Sequence, residues 1–315
     1  MQNNTQTVVI LGTGGTIAGT AKDAADNVGY TAAQIGVEQL LAAVPALSGQ
    51  ALEAEQICQI DSKDMGFAVW HALATSVARH LARPEVAGIV ITHGTDTLEE
   101  TAYFLHRVLA PAKPVVFTAA MRPATALLAD GPQNLLDAVT VARSAGASGV
   151  VAVLAGEVHS ALEVRKLHTY RLAAFGSGDA GVVAQIEEGR LRQHRPWPAG
   201  EALGLSRLPT DASAWPWVEI VTSHAGARAE MVDALCRSGV RGIVAACTGN
   251  GTLHHALEAA LVAAQASGVR VLRSSRCLGG AVIETAGQLL PSAGALRSVQ
   301  ARVEMVLGLL EAGPP

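Results

Sequence analysis

Residues 7–19 read Thr-Val-Val-Ile-Leu-Gly-Thr-Gly-Gly-Thr-Ile-Ala-Gly, an apolar run followed by a loop rich in glycine and hydroxyl groups. A short apolar run before a glycine-rich turn is typical of a strand buried on both faces of a parallel sheet. We therefore expect Thr7–Leu11 to form the first strand of an α/β domain, with the loop at its carboxyl end.

The same pattern continues along the chain, where short Val/Ile/Leu runs alternate with longer segments of helical period. This alternation predicts an α/β fold with a large N-terminal parallel-sheet domain of flavodoxin or Rossmann type. The further predicted strands are Ala54–Ile60, Val86–Thr92, Pro114–Thr118 and Gly149–Leu154. The predicted helices are Val37–Val44, Phe67–Leu81, Leu98–Leu109 and Gln133–Ser144.

A linker is predicted at residues 195–216, because four of the chain's 13 prolines lie there with little apolar periodicity. It separates an N-terminal α/β domain, residues 1–194, from a smaller C-terminal α/β domain, residues 217–315. Charges around Gly189 predict a hairpin just before the linker. The predicted C-terminal elements are strands Trp217–Thr222, Gly242–Ala246 and Arg270–Arg273 and helices Arg228–Arg237, Leu253–Ala266 and one from Ser292 onward.

Composition excludes several classes of protein. The 315 residues are 50% apolar and 16% charged, enough for a large core. The net charge of −4, without a basic block, argues against nucleic acid. No apolar run approaches the roughly 18 residues of a membrane helix. The scattered cysteines imply no disulfide framework, and the spacing of the histidines implies no metal site. The polar residues 1–7 lack the pattern of a signal peptide, which favours the cytoplasm.

Ligands of open parallel sheets bind beyond the carboxyl ends of the strands, so the residues there are the first candidates. The loop after the first strand is not a dinucleotide fingerprint, because Ile17 occupies the third glycine position of G-x-G-x-x-G. No nicotinamide or other cofactor is expected. The loop offers the hydroxyl of Thr16, although a threonine that merely closes a tight turn explains the loop equally well.

The third predicted strand is followed by His93-Gly94-Thr95-Asp96-Thr97. Thr97 and Glu100 match a helix capping box, which predicts a structural role for Thr97 and leaves Thr95 and Asp96 as functional candidates.

The second predicted strand is followed by Asp61-Ser62-Lys63-Asp64, in which Asp64 is an alternative helix cap. Together, the three strand ends predict a site for a zwitterion, with carboxylates for its ammonium and hydroxyl or N–H groups for its carboxylate.

A threonine nucleophile needs a group that takes its proton. His93 is one option, although so close to a strand end it fits the core equally well. Lys166 is another, because only four of the chain's 23 basic residues are lysines, and lysine, unlike arginine, can give up its proton. A solvated surface lysine is the alternative.

Taken together, these segments resemble the bacterial-type L-asparaginase family, which includes the glutaminase-asparaginases. The resemblance covers nearly the whole chain. It rests on residues 13–19, 91–104, 120–123 and 129–132, with Gly249-Asn250-Gly251 and Ser274-Ser275-Arg276 in the C-terminal part. The two threonine signatures, in this order and at this separation, are highly specific.

The resemblance implies hydrolysis of L-asparagine to L-aspartate and ammonia through an acyl-enzyme, with lower activity on L-glutamine left open. Thr16 is then the nucleophile, Tyr30 closes over it from a loop, and Thr95, Asp96 and Lys166 form a supporting triad. The substrate-binding set that it implies is Gly15, Asp61, Ser62, Lys63, Gly94, Thr95, Asp96, Asn250 and Glu284.

The resemblance also implies a homotetramer, a dimer of dimers in which Asn250 and Glu284 reach the neighbouring subunit's site. Glu284 requires a gap in the correspondence after Arg276. Lys63 is a departure, because periplasmic members commonly carry glutamine or glutamate there, and a cation changes the surroundings of the substrate carboxylate.

Two other functions stay open at this stage. One is an amidotransferase subunit that supplies ammonia from glutamine, although such chains carry an additional N-terminal domain. The other is a non-catalytic binder of small molecules, which would bind a ligand without releasing ammonia.

Overall fold

A computed structural model describes residues 6–312 of the chain. It divides into two compact units, with the boundary between Ser206 and Arg207, inside the predicted linker. The first part of that linker packs on the first unit, where the main-chain N–H groups of Leu203 and Gly204 donate to carbonyls of Arg107 and Val108.

The first unit is built on strands and helices that follow the predicted alternation. Its strands are β1 Thr7–Gly14, β2 Leu52–Ile60, β3 Val86–Thr92, β4 Val115–Thr118, β5 Val150–Leu154, β6 Glu157–Ser160, β7 Arg165–Lys166, β8 Phe175–Gly176, β9 Ala184–Glu187 and β10 Arg190–Gln193. Its helices are α1 Val37–Ala42, α2 Phe67–Leu81, α3 Leu98–Leu109 and α4 Gly131–Ala142.

An eight-stranded sheet organises this unit, in the order β10-β9-β6-β5-β4-β3-β1-β2. The strands from β2 to β5 pair in parallel, and β6, β9 and β10 add antiparallel pairs at one side. Strands β7 and β8 form a separate hairpin. The predicted α/β fold with a mostly parallel sheet is therefore confirmed.

The chain changes direction across the sheet at β1. It runs from β1 to β2 on one side and then crosses to β3 on the other side, so that β1 lies between them. Such a switch point opens a crevice beyond the carboxyl ends of the two central strands. The loops after β1 and β3 border this crevice.

The core of the sheet explains why β1 is so apolar. Val8, Val9, Ile10 and Leu11 are all fully buried, since helices cover both faces of the central strands. The predicted hairpin around Gly189 is also present, where β9 and β10 are joined by Glu188 and Gly189, both at positive φ.

The second unit contains a three-stranded parallel sheet in the order β11-β12-β13. Its elements are β11 Val218–Thr222, β12 Gly242–Cys247, β13 Arg270–Ser275, α5 Glu230–Arg237, α6 His255–Ala266 and α7 Ser298–Ala312.

The predicted start of the last helix at Ser292 is wrong by six residues, because α7 begins at Ser298. Ala293 donates its N–H to the carbonyl of Arg273, and Arg273 donates to Pro291, so this segment is extended along β13. Gly294 follows with a φ of 60°, which an α-helix does not accommodate.

None of the helices in residues 6–312 combines the length and the apolar character that crossing a membrane requires. The predicted absence of a signal peptide concerns residues 1–7, most of which lie outside the described residues.

Candidate active site

The loop after β1 is in direct contact with the loop after β3. Gly15 has a φ of 81°, and a Cβ atom on it would lie 2.4 Å from the Cα atom of Gly94. Only glycine allows so close an approach of two backbones. Thr16 and Thr95 each follow one of the touching glycines, and both are buried, with 6% of the residue surface exposed.

The loop after β2 joins the same cluster. A Cβ atom on Gly94 would lie 2.4 Å from Ser62 Oγ, and that oxygen accepts a hydrogen bond of 3.2 Å from the main-chain N–H of Asp96. The structure thus brings together the three strand ends that the sequence singled out.

The hydroxyl of Thr16 is paired with that of Tyr30, with 2.7 Å between the two oxygens. Tyr30 lies near the base of a loop that is closed by two main-chain hydrogen bonds of 2.9 Å between Thr20 and Thr31. The same loop is fastened to a neighbouring one, because Thr125 Oγ1 accepts from the main-chain N–H of Ala21 at 2.8 Å. These contacts hold the phenol over Thr16.

Lys166 points its ammonium at the residues after β3. Nζ donates to Thr95 Oγ1 and to Asp96 Oδ1, each at 2.8 Å. An ammonium that donates to a hydroxyl oxygen polarises that hydroxyl and fixes its orientation. Thr95, Asp96 and Lys166 therefore form one hydrogen-bonded group next to the contact between Gly15 and Gly94.

Lys63, the unusual cation at this site, is already paired. Its Nζ lies 2.6 Å from Asp61 Oδ2, and Asp61 also accepts the main-chain N–H of Lys63. The hydrogen bond with Asp61 raises the pKa of Lys63. Because both side chains are on the surface, the pair forms a polar rim whose positive charge is largely balanced.

Gly15 contributes through its backbone shape. Its N–H donates to the carbonyl of Ile60 at 2.9 Å, so this N–H ties the loops after β1 and β2 together.

The predicted capping box at Thr97 is wrong. Thr97 is the N-cap residue of α3, but its side chain makes no capping hydrogen bond. Its hydroxyl instead donates to the carbonyl of Ser62 at 2.8 Å. Thr97 keeps a structural role, since it ties the loop after β2 to the start of α3.

His93, the alternative base, belongs to the core. It is fully buried, its Nδ1 lies 2.7 Å from the carbonyl oxygen of Gly94, and its ring packs edge-on against Phe117. Burial lowers the pKa of His93 to about 4, so the ring is neutral at ordinary pH. It fixes the carbonyl of Gly94.

Asn250 and Glu284 lie in the second unit and are neighbours there. The amide of Asn250 donates to the carbonyl of Ile283 at 2.9 Å and accepts from its N–H at 2.7 Å. Glu284 Oε1 accepts from the N–H of Ser292. Asn250 therefore holds the segment that carries Glu284.

The sequence analysis missed Glu99, which lies in the first turn of α3. Its Oε2 accepts the main-chain N–H of Lys166 at 2.7 Å. Burial raises the pKa of Glu99 to about 7, against the opposing effect of the Lys166 N–H. The sequence shows that Glu99 lies four residues after Thr95, but it does not show that Lys166, 67 residues further along the chain, contacts Glu99.

Comparison with known families places both units. Residues 7–199 match the family model described as Asparaginase, N-terminal, and residues 217–312 match the Glutaminase/Asparaginase C-terminal domain. The chain belongs to the asparaginase family. This agrees with the resemblance carried by the two threonine signatures.

Individual relatives of this asparaginase-family chain match over most of its length. It is 39% identical to L-asparaginase 2 of Escherichia coli (strain K12), over 98% of this chain and 90% of the relative. It is 39% identical to a glutaminase-asparaginase of Pseudomonas fluorescens biotype A, over 89% and 78%. A solved structure, a probable cytoplasmic L-asparaginase from Campylobacter jejuni, matches with a TM-score of 0.91 and 35% identity, covering 96% of this chain and 94% of that one.

Proposed function

We propose that this chain is an amidohydrolase that converts L-asparagine to L-aspartate and ammonia, with lower activity on L-glutamine. The observation that carries the proposal is the meeting of two hydroxyl groups at one crevice: Thr16 paired with Tyr30, and Thr95 paired with Lys166 and Asp96. Family membership and the named activities of the relatives support the same reaction.

In the first half of the reaction, Thr16 Oγ1 attacks the side-chain amide carbon of the substrate. The hydroxyl of Tyr30, 2.7 Å away, is placed to take up the proton of Thr16 while it passes its own proton towards the leaving nitrogen. The amide oxygen becomes an oxyanion. Within the described residues, the main-chain N–H of Thr95 has no hydrogen-bond partner, which leaves it available as a donor to this oxyanion.

Collapse of the tetrahedral intermediate breaks the carbon–nitrogen bond, and the nitrogen leaves as ammonia after it takes up the proton relayed from Thr16 through Tyr30. The product is a threonyl ester of the substrate at Thr16. Water then attacks this ester, and the Thr95 hydroxyl, oriented by Lys166, lies at the same crevice to accept a hydrogen bond from it. Aspartate leaves and Thr16 recovers its proton.

Substrate recognition follows from the charges at the strand ends. Asp96 offers a carboxylate to the α-ammonium, and Ser62 offers its hydroxyl to the α-carboxylate. Gly15 and Gly94 let the loops that carry Thr16 and Thr95 lie against each other, and Asp61 with Lys63 forms the rim.

We further propose a homotetramer, a dimer of dimers, in which Asn250 and Glu284 from the second unit of one subunit complete the site of its neighbour. The location that we propose is the cytoplasm, which is supported by the similarity to the Campylobacter jejuni protein.

Ammonia release from L-asparagine, L-glutamine and D-asparagine, measured side by side on the purified protein, tests the reaction. We expect the highest kcat/KM on L-asparagine and lower values on the other two. Release from L-glutamine alone would instead indicate an ammonia-supplying subunit. Saturable binding of L-asparagine without ammonia release would indicate a non-catalytic binder, and either result overturns the proposal.

A further inference from the structure

Residues 95–99 bind both the main chain and the ammonium of Lys166. The ammonium donates to Thr95 and Asp96, and the main-chain N–H of Lys166 donates to Glu99 Oε2 at 2.7 Å. All three partners lie between β3 and the first turn of α3. The backbone and the tip of the lysine are thus fixed against the same rigid helix start.

The hairpin that carries Lys166 needs such a fixed point. Strands β7 and β8 have two residues each and do not belong to the eight-stranded sheet. Lys166 pairs with Phe175 on the partner strand, and its N–H is directed to α3 instead. A two-residue strand pair has little rigidity of its own. Contacts with neighbouring elements therefore set the position of Lys166.

The other end of the hairpin is anchored separately. Ser177 follows β8, and its Oγ lies 3.0 Å from Nδ1 of the buried His159 on β6. This contact fixes the hairpin to the sheet but touches neither the backbone nor the ammonium of Lys166. On the side of Lys166, the carboxylate of Glu99 holds the backbone through the N–H of Lys166.

We infer that Glu99 is a positioning residue for amide hydrolysis, which holds the backbone of Lys166 so that its ammonium stays aligned with Thr95. The inference rests on the proposed function, because it assumes that Lys166 supports the reaction. A misplacement of about 1 Å in a catalytic group can cost roughly 100-fold in rate.

The surroundings of Glu99 make this contact sensitive to pH. The groups that face it are Glu100 on α3 and Arg165 and Lys166 on β7. Burial dominates and raises the pKa of Glu99 to about 7, so the carboxyl changes charge near neutral pH. An ionised carboxylate accepts a stronger hydrogen bond than a neutral one. The hydrogen bond from the Lys166 N–H to Glu99 therefore becomes stronger as the pH rises through this range.

Three variants separate positioning from mere stability. We expect Glu99→Ala to lower kcat about 10- to 100-fold with KM nearly unchanged, because alignment of Lys166 is lost. Glu99→Gln keeps an acceptor but carries no charge, so its kcat lies only a few-fold below that of the wild type at pH 8.5. Glu38→Ala removes an exposed glutamate from the first turn of α1 and serves as the matched control.

The profile of kcat between pH 5.5 and 8.5 is the decisive kinetic readout. The wild type gains activity through the range where Glu99 ionises, and Glu99→Gln lacks this step. Wild-type kcat in Glu99→Ala, or an unchanged pH step in Glu99→Gln, would overturn the inference. The inference would also be overturned if kcat of Glu99→Ala fell only to the extent that its Tm is lowered.

A second measurement does not depend on activity. The chain has four lysines, so protein labelled with ¹⁵N-lysine gives few main-chain amide signals, and Lys166→Gln identifies the one of interest. The Lys166 amide signal should shift with pH around 7 in the wild type and stay constant in Glu99→Gln. If this shift is seen but no ammonia is released, the proposed function fails while the contact stands. If ammonia is released without the shift, the positioning role fails alone.

Discussion

The hydroxyl oxygens of Thr16 and Tyr30 lie 2.7 Å apart, although the two residues belong to different loops. Thr16 is fixed at the carboxyl end of β1, whereas Tyr30 is carried by the loop between Thr20 and Thr31. A nucleophile on a rigid strand end and a proton acceptor on a separate loop can be perturbed one at a time. The roles of the two hydroxyls are therefore separable by substitution.

Replacing Thr16 tests the nucleophile. We expect Thr16→Ala to lower ammonia release from L-asparagine by about 1,000-fold or more, because no covalent intermediate forms without the hydroxyl. Substrate binding, measured by calorimetry, should persist, and Tm should change little. Thr16→Ser keeps the hydroxyl and should retain measurable turnover. Near-wild-type turnover in Thr16→Ala would remove Thr16 from the mechanism.

Replacing Tyr30 tests the proton acceptor. Tyr30→Phe keeps the ring and its packing but removes the oxygen that faces Thr16. We expect kcat to fall about 100- to 10,000-fold with little change in KM, the range that general acid–base groups supply. Steady-state kinetics on L-asparagine measures this directly. A rise in KM at constant kcat would instead show that Tyr30 only covers the substrate.

The position of Lys166 is expected to need a compact ammonium that reaches Thr95 and Asp96 together. Lys166→Arg keeps the charge, but the planar guanidinium does not reproduce the two contacts that Nζ makes with Thr95 and Asp96. We expect kcat to fall about 100-fold in this variant and similarly in Lys166→Met. Full activity of the arginine variant would show that charge alone is sufficient.

The strand ends show how far the sequence leads. The apolar runs predicted the central strands correctly, because strands buried on both faces have no competing local signal. Strands β7 and β8 were not predicted, since two-residue strands carry no periodicity. For the same reason the sequence did not predict the hairpin that carries Lys166. Lys166 was identified as a candidate by the scarcity of lysine in the chain and by the family resemblance.

Thr97 and Glu99 show why the rest was not predicted. The local pattern around Thr97 fits a capping box, but a contact with the carbonyl of Ser62, 35 residues away, takes its hydroxyl. Glu99 is bound to Lys166, 67 residues further along the chain. A sequence motif indicates hydrogen bonds between residues that are close in the chain. Thr97 and Glu99 instead bind residues that are distant in the chain and come close only after folding.

Two buried histidines should make the protein sensitive to acid. Burial lowers the pKa of His93 and of His159 to about 4. As pH falls below about 6.5, the unfolded chain binds protons at these histidines while the folded chain does not until about pH 4. The free energy of unfolding therefore decreases across this window, on the order of 3 kcal/mol for each histidine.

Urea unfolding between pH 7.5 and 4.5 checks this dependence. His159→Gln should be less stable than the wild type at pH 7.5, yet lose less stability on acidification. His255→Gln, at an exposed position on α6, controls for the loss of one histidine. Because the raised pKa of Glu99 acts in the opposite direction, the difference between variants is the quantity to compare. Parallel curves for the wild type and His159→Gln would contradict the assignment.

Mixing two inactive variants tests whether neighbouring subunits share a site. Thr16→Ala damages the first unit, and Asn250→Ala damages the second, where Asn250 holds the segment before Glu284. If each site combines Thr16 of one subunit with Asn250 of its neighbour, refolding an equal mixture restores roughly a quarter of the sites, because half of the pairs are mixed and each has one intact site. This holds whether Asn250 contacts the substrate or only positions Glu284.

The measurement compares ammonia release by the refolded mixture with that of each variant refolded alone. Activity no higher than that of the two parents would show that each subunit builds its site alone.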